Sequence, residues 1–149
     1  MNPQKGHRAL RKGRVSIPGH YYFLTIVTDK RRRVFGNFKA ATTTAAIINN
    51  TSVLKDSTVL AWVIMPDHIH LLIQLGNSMP LGKFVARLKS EVTRKLKLPF
   101  TLWAKNFHDH MIRNEADLIS TARYLIANPV RAGLVSRVGC YSFWDAIWI

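Results

Sequence analysis

Two apolar runs separated by only two residues constrain this chain more than any other feature. "TVLAWVIM" (58–65) and "HIHLLIQL" (68–75) flank Pro66 and Asp67. Both runs are rich in β-branched and other apolar side chains that suit a pleated, half-buried surface. A two-residue connection joins strands as an antiparallel hairpin, because a parallel return needs a dozen or more residues. Pro-Asp is turn chemistry, though not the favoured Asn-Gly type. A sheet is therefore required, and the rest of the chain must extend and cover it.

The flanking segments supply candidates. "YYFLTIVT" (21–28) reads as another strand, followed by the charged loop "DKRRRVFG". "FKAATTTAAIINNTSVL" has helical apolar spacing through Ala41, Ala45 and Ile48, weakened by its threonines. In "PLGKFVARLKSEVTRKLKL" (80–98), Leu81, Val85, Leu88, Val92 and Leu96 form an apolar stripe, with Lys83, Arg87, Arg94 and Lys97 on another face. "WAKNFHDHMIR" (103–113) is a fourth strand candidate. "NEADLISTARYLIANPVRAG" opens with Asn114 as a cap and acids in its first turn, and should end near Asn128 because Pro129 disfavours helix in the residue before it. This order predicts an α+β fold: a ferredoxin-like βαββαβ sandwich with an antiparallel sheet and an added C-terminal helix carrying Tyr124. Residues 1–149 are expected to form a single domain, with 1–18 as a basic N-terminal arm.

Charge narrows the partner. Twenty-two Lys and Arg stand against eight Asp and Glu, a formal net charge of +14. Such an imbalance repels itself in a compact fold and suits a polyanion. Arg11, Lys12 and Arg14 in the arm, Arg31 and Arg32 in the loop, and Lys83, Arg87 and Arg94 on the 80–98 helix are the candidate phosphate contacts. Tyr21, Tyr22 and Trp103 are candidate base-stacking rings or core residues. Cys140 is the single cysteine, so no intramolecular disulfide can form, which suits a reducing cytoplasm. No apolar run approaches the roughly 18 residues needed to span a bilayer, and the basic N-terminus lacks a signal peptide's apolar middle. No membrane association is expected.

The hairpin carries an anomaly. His68 and His70 point with Leu72 to one face of their strand, at about 7 Å spacing from the ~3.3 Å rise per residue. They are either satisfied core residues or two imidazoles converging on one divalent ion. A second pair, His108 and His110 around Asp109, repeats the pattern. On the last helix, Tyr124 and Asn128 are four residues apart and share a face. Tyr124 is either a packing aromatic or a phenol able to attack phosphorus; Asn128 offers a neutral oxygen to a hard cation. No second tyrosine shares that face.

"WVIMPDHIHLLI" and "ARYLIANPVRAGLV" together resemble the REP-associated tyrosine transposases, a branch of the single-tyrosine HUH transposases. "YYFLTIVTDKRRRVFG", "FHDHMIRNEADL" and "YSFWDAIW" extend the resemblance over nearly the whole chain. It implies that His68 and His70 are the HUH histidines around the hydrophobic Ile69. It implies that Tyr124 is the catalytic nucleophile and Asn128 the third metal ligand. The implied cofactor is Mg²⁺ or Mn²⁺, and the implied partner is single-stranded DNA with hairpins in a bacterial, nucleoid-associated setting. The implied reaction is cleavage and rejoining of DNA at REP-like hairpins through a 5′-phosphotyrosine. A replication-initiator nickase and a non-catalytic hairpin-binding module are the alternatives. Asp109 and His110 are accessory candidates. The oligomeric state stays open between monomer and homodimer.

Overall fold

Alternation along the strands decides which side of the sheet each element covers. The structure is a computed structural model that describes residues 16–148. The arm residues Arg11, Lys12 and Arg14 lie outside the described residues. The main elements are β1 (Tyr21–Thr28), α1 (Phe38–Ile48), β2 (Thr58–Met65), β3 (His68–Gln74), α2 (Leu81–Leu96), β4 (Trp103–Ile112), α3 (Glu115–Ile126) and β5 (Trp144–Ala146). The strands form one sheet in the order β4-β1-β3-β2-β5, each neighbour antiparallel to the next. The fold is α+β, with its hairpin at Pro66-Asp67 as the spacing predicts.

Backbone bonds from neighbouring segments hold the turn. The Asp67 carbonyl accepts from the Thr28 amide at 3.0 Å and from its hydroxyl at 2.9 Å, while the Pro66 carbonyl accepts from Phe35 N–H at 2.9 Å. These bonds fix the hairpin tip against the end of β1.

Along β1 burial alternates strictly. Tyr22, Leu24 and Ile26 register against Ile73, Leu71 and Ile69 of β3, and these join the apolar core under α1 and α2. Leu81, Phe84, Val85, Leu88 and Val92 of α2 are buried there. Burying each such side chain contributes about 1.5–3 kcal/mol relative to exposure. The other face carries Phe23 and Leu72, which pack with Leu118, Ala122 and Leu125 of α3. The sheet thus lies between α1 and α2 on one side and α3 on the other.

Local chemistry explains the helix ends. Asn114 caps α3, its side chain accepting from Asp117 N–H at 2.9 Å. The threonines of α1 are accommodated by bonds back along the helix, Thr42 to the Phe38 carbonyl and Thr44 to the Ala40 carbonyl. The predicted single stretch from Phe38 to Leu54 is instead broken at Asn49 and Asn50. Asn50 caps a separate turn, Thr51–Leu54, by accepting from Ser52 N–H.

Two other expectations change. The tyrosine helix is not the last element, because β5 follows it and pairs with β2. Residues 16–18, assigned to the arm, sit against the fold: Ser16 Oγ accepts from Leu81 N–H, and the Ile17 amide donates to the Tyr22 hydroxyl.

Candidate active site

β3 brings His68 and His70 together on the face covered by α3. Their rings meet edge to face with centroids 4.7 Å apart. Each is tethered through Nδ1. His68 Nδ1 lies 2.7 Å from Asp67 Oδ1, and His70 Nδ1 lies 3.0 Å from Thr25 Oγ1 on β1. An imidazole whose Nδ1 is held by a carboxylate or hydroxyl presents Nε2 to a ligand in a fixed orientation.

Burial favours a neutral imidazole at His70. His70 is 9% exposed, and its pKa is pushed down to about 3. Burial is the main cause, with the neighbouring His68 adding to it and a hydrogen bond to the Leu24 backbone opposing. His70 therefore keeps a lone pair at any physiological pH. Burial alone would raise Asp67, but its hydrogen bond to His68, the charge of that ring and Arg31 hold its carboxyl below the usual range. Arg31 Nη1 sits 3.3 Å from Asp67 Oδ2.

Phe23 links this pair to the tyrosine. It stacks on His70 with centroids 5.1 Å apart and meets the Tyr124 ring edge-on at 6.4 Å. Tyr124 is 56% exposed, unlike a core aromatic. Arg131 lies over its ring, 3.8 Å from the centroid, and its Nη2 donates to the Tyr124 carbonyl oxygen. Tyr141 contrasts with it. That hydroxyl is committed to the Ile64 carbonyl, and burial pushes its phenol up despite the opposing charge of Arg33.

Asn128 begins the helical turn Asn128–Arg131 directly after α3, and its Nδ2 is buried without a hydrogen-bond partner. Rotating the amide by 180° exchanges nitrogen for oxygen at that position. A cation there would resolve an otherwise costly orphan. Among the described residues, no cluster of three or more His, Cys, Asp or Glu is placed to hold a metal. Two imidazole nitrogens and one amide oxygen are donors that suit a divalent ion, so by donor chemistry these residues fit one.

The remaining candidates separate. His108 and His110 pair with Thr25 and Phe23, so they share the sheet face of His70 but stand two strands away. Asp109 pairs with Leu24 and points to the opposite face, which removes it from this site. Lys83, Arg87 and Arg94 lie on α2, across the sheet from the histidines. Arg87 donates to the Val53 and Ser52 carbonyls and Arg94 pairs with Glu91, so both have structural work there. Arg32 covers the Phe100 ring at 4.6 Å. Tyr22 and Trp103 are core residues and Tyr21 packs against the α3 cluster, so none of the three is an open stacking platform. Phe23, Thr25, Asp67 and Arg131 are the site residues that the motif reading missed. Arg131 had a signal, since positions 124, 128 and 131 share one helical face.

The fold is one shared with a class of DNA-transposing enzymes. The structure superposes with a TM-score of 0.75 on a REP-associated tyrosine transposase solved bound to a REP hairpin, at 25% identity over 88% of this chain and 79% of that one. A REP-associated tyrosine transposase of Escherichia coli K12 is 30% identical over 137 residues, covering 87% of this chain and 78% of the relative. A Haemophilus influenzae protein assigned to the same group is 31% identical over 139 residues, covering 80% and 76%. Residues 16–123 match the family of IS200-like transposases. This chain belongs to that family and is a tyrosine transposase. The matched stretch contains both histidines and stops one residue before Tyr124.

Proposed function

We propose that this chain cleaves and rejoins single-stranded DNA at hairpin elements through a 5′-phosphotyrosine on Tyr124. His68, His70 and Asn128 would hold Mg²⁺ or Mn²⁺, and the setting is the bacterial cytoplasm. One observation carries the reading: two Nδ1-tethered imidazoles share a sheet face with an exposed tyrosine, and a single ring, Phe23, touches both. The relative solved with a REP hairpin supports hairpin DNA as the substrate.

The residues divide the work. Asp67 and Thr25 hold the imidazoles, so that ligand geometry is set before substrate arrives. A divalent ion on these ligands would supply positive charge to polarise the scissile phosphate. Tyr124 Oη attacks phosphorus, the P–O3′ bond breaks, and the strand leaves with a 3′-OH. Arg131 holds the phenol ring for an in-line approach, where orientation is worth several kcal/mol. The phosphodiester energy persists in the tyrosyl ester, so a 3′-OH can reverse the step and join strands without ATP.

Labelled REP-type hairpin oligonucleotides with Mn²⁺, resolved on denaturing gels, test this. A covalent protein–DNA adduct and joined strands are expected. Binding without cleavage would identify a binding module, cleavage without joining a nickase, and cleavage without an adduct would overturn the tyrosine mechanism.

A further inference from the structure

A groove of about 610 Å³ lies on the α1 and α2 side of the sheet, away from the histidine face. Arg33, Lys39, Lys95 and Lys97 line it, and among the described residues lining it none is acidic. All four cations are exposed. Leu96 contributes to its apolar floor and the exposed Phe100 to its wall.

Helix energetics account for part of this charge but not all of it. Lys95 lies in the last turn of α2 and Lys97 caps it, where cations complement the negative end of the helix dipole. Lys39 is the opposite case. It occupies the first turn of α1, which holds no acidic residue, and a cation at a helix N-terminus is unfavourable. Its charge opposes its own helix, so the helix does not explain it.

The groove also connects to the reacting centre. Arg31 contacts Asp67, which in turn holds His68. Arg32 lies over Phe100, and Arg33 lines the groove. Three consecutive arginines thus run from the histidine end of the sheet to the four-cation groove.

Resting on the reading of this chain as a single-strand transposase, we propose that the groove holds a single-stranded segment flanking the cleavage point, with its phosphates on Arg33, Lys39, Lys95 and Lys97. An apolar floor and an exposed ring favour an unpaired strand, whose bases can turn into them; a duplex stem keeps its bases stacked inside.

Binding of short and long fluorescein-labelled oligothymidylates across a salt series tests the proposal. The groove variant is Lys39→Gln with Lys97→Asn, because asparagine tolerates the left-handed backbone at position 97 (φ 50). Lys55→Asn with Lys105→Gln is a control of equal charge. For the long probe, the groove variant should flatten the log–log slope by about 1.4, roughly 0.7 for each lost phosphate contact. The control should retain most of the wild-type slope. Circular dichroism reports whether each variant is folded. If wild type binds and the groove variant keeps its slope, or both variants lose it equally, the groove assignment is overturned while the transposase reading stands. If wild type binds neither probe, the single-strand reading itself falls, and this proposal with it.

Discussion

The Arg131 guanidinium lies over the Tyr124 ring and also donates to the Tyr124 carbonyl oxygen at 2.8 Å. It therefore grips the residue at both ends, ring and backbone. Stacking of this kind at an exposed site is worth about 0.5–1 kcal/mol, and a hydrogen bond about 1 kcal/mol. Loss of both should slow adduct formation about tenfold, since ~1.4 kcal/mol is a factor of ten. Single-turnover rates of Arg131→Ala and Arg131→Lys measure this. The lysine variant keeps the charge without the planar stack and should stay slow. Full recovery by lysine would mean that charge alone matters.

His68→Ala and His70→Ala should abolish adduct formation, while His108→Ala should retain it. Isothermal titration with Mn²⁺ should show the same division. The two losses differ in kind. His68 stands at the turn, whereas His70 is buried and stacked on Phe23, so His70→Ala should also cost about 2 kcal/mol or more through the cavity it leaves. Activity lost in His108→Ala but kept in His68→Ala would reverse the assignment.

A stability prediction concerns Asp56. Its carboxylate accepts from Asn77 and Ser78 amides and from the Ser78 hydroxyl, and these bonds hold it below its ordinary pKa of 3.8. Burial opposes them. A lowered folded pKa means that the stabilisation is present above 3.8 and is lost as pH falls toward the lowered value. Asp56→Asn should flatten the acid limb of a melting-temperature profile and leave the slope near neutrality unchanged. Gly76→Ala should destabilise at all pH, by about 1–3 kcal/mol, because its Cβ would fall 2.4 Å from the Asp56 carboxyl and 2.6 Å from its backbone carbon.

Much of this architecture is legible in the chain because its signals are local. The two-residue turn at Pro66-Asp67 sets the hairpin, strand phase puts His68 and His70 on one face, and the stripe from Leu81 to Val92 defines α2. What escapes is what depends on register between distant segments. Asp109 and His110 look like one accessory group in the motif, and the pairing of β4 with β1 is what places Asp109 on the face opposite His108 and His110. Phe23 reaches both His70 and Tyr124 only because β1 lies beside β3 under α3. Arg87 looks like a solvated cation in its helix, yet the carbonyls it bonds belong to residues 52 and 53. β5 is three residues long, too short to show alternation, and its pairing with β2 is a tertiary event.

Tyr124→Phe and Asn128→Ala should fail in different ways. Phenylalanine keeps the ring that meets Phe23 edge-on and lies under Arg131, so hairpin binding and metal binding should persist. It lacks the one oxygen that can attack phosphorus, and no adduct should form at any metal concentration. Asn128→Ala leaves the nucleophile in place. It removes a buried amide whose nitrogen has no partner, and with it the third protein ligand of the proposed ion. Affinity for Mn²⁺ should fall, and excess Mn²⁺ should restore part of the adduct, because mass action can offset a weakened site. Denaturing gels of each variant across a Mn²⁺ series, with 5′- and 3′-labelled hairpins, separate the two failures. Adduct from Tyr124→Phe would move the nucleophile elsewhere. Tyr141 would then be the residue to test, although its hydroxyl must first leave the Ile64 carbonyl. An Asn128→Ala variant with unaltered Mn²⁺ affinity would remove Asn128 from the ligand set.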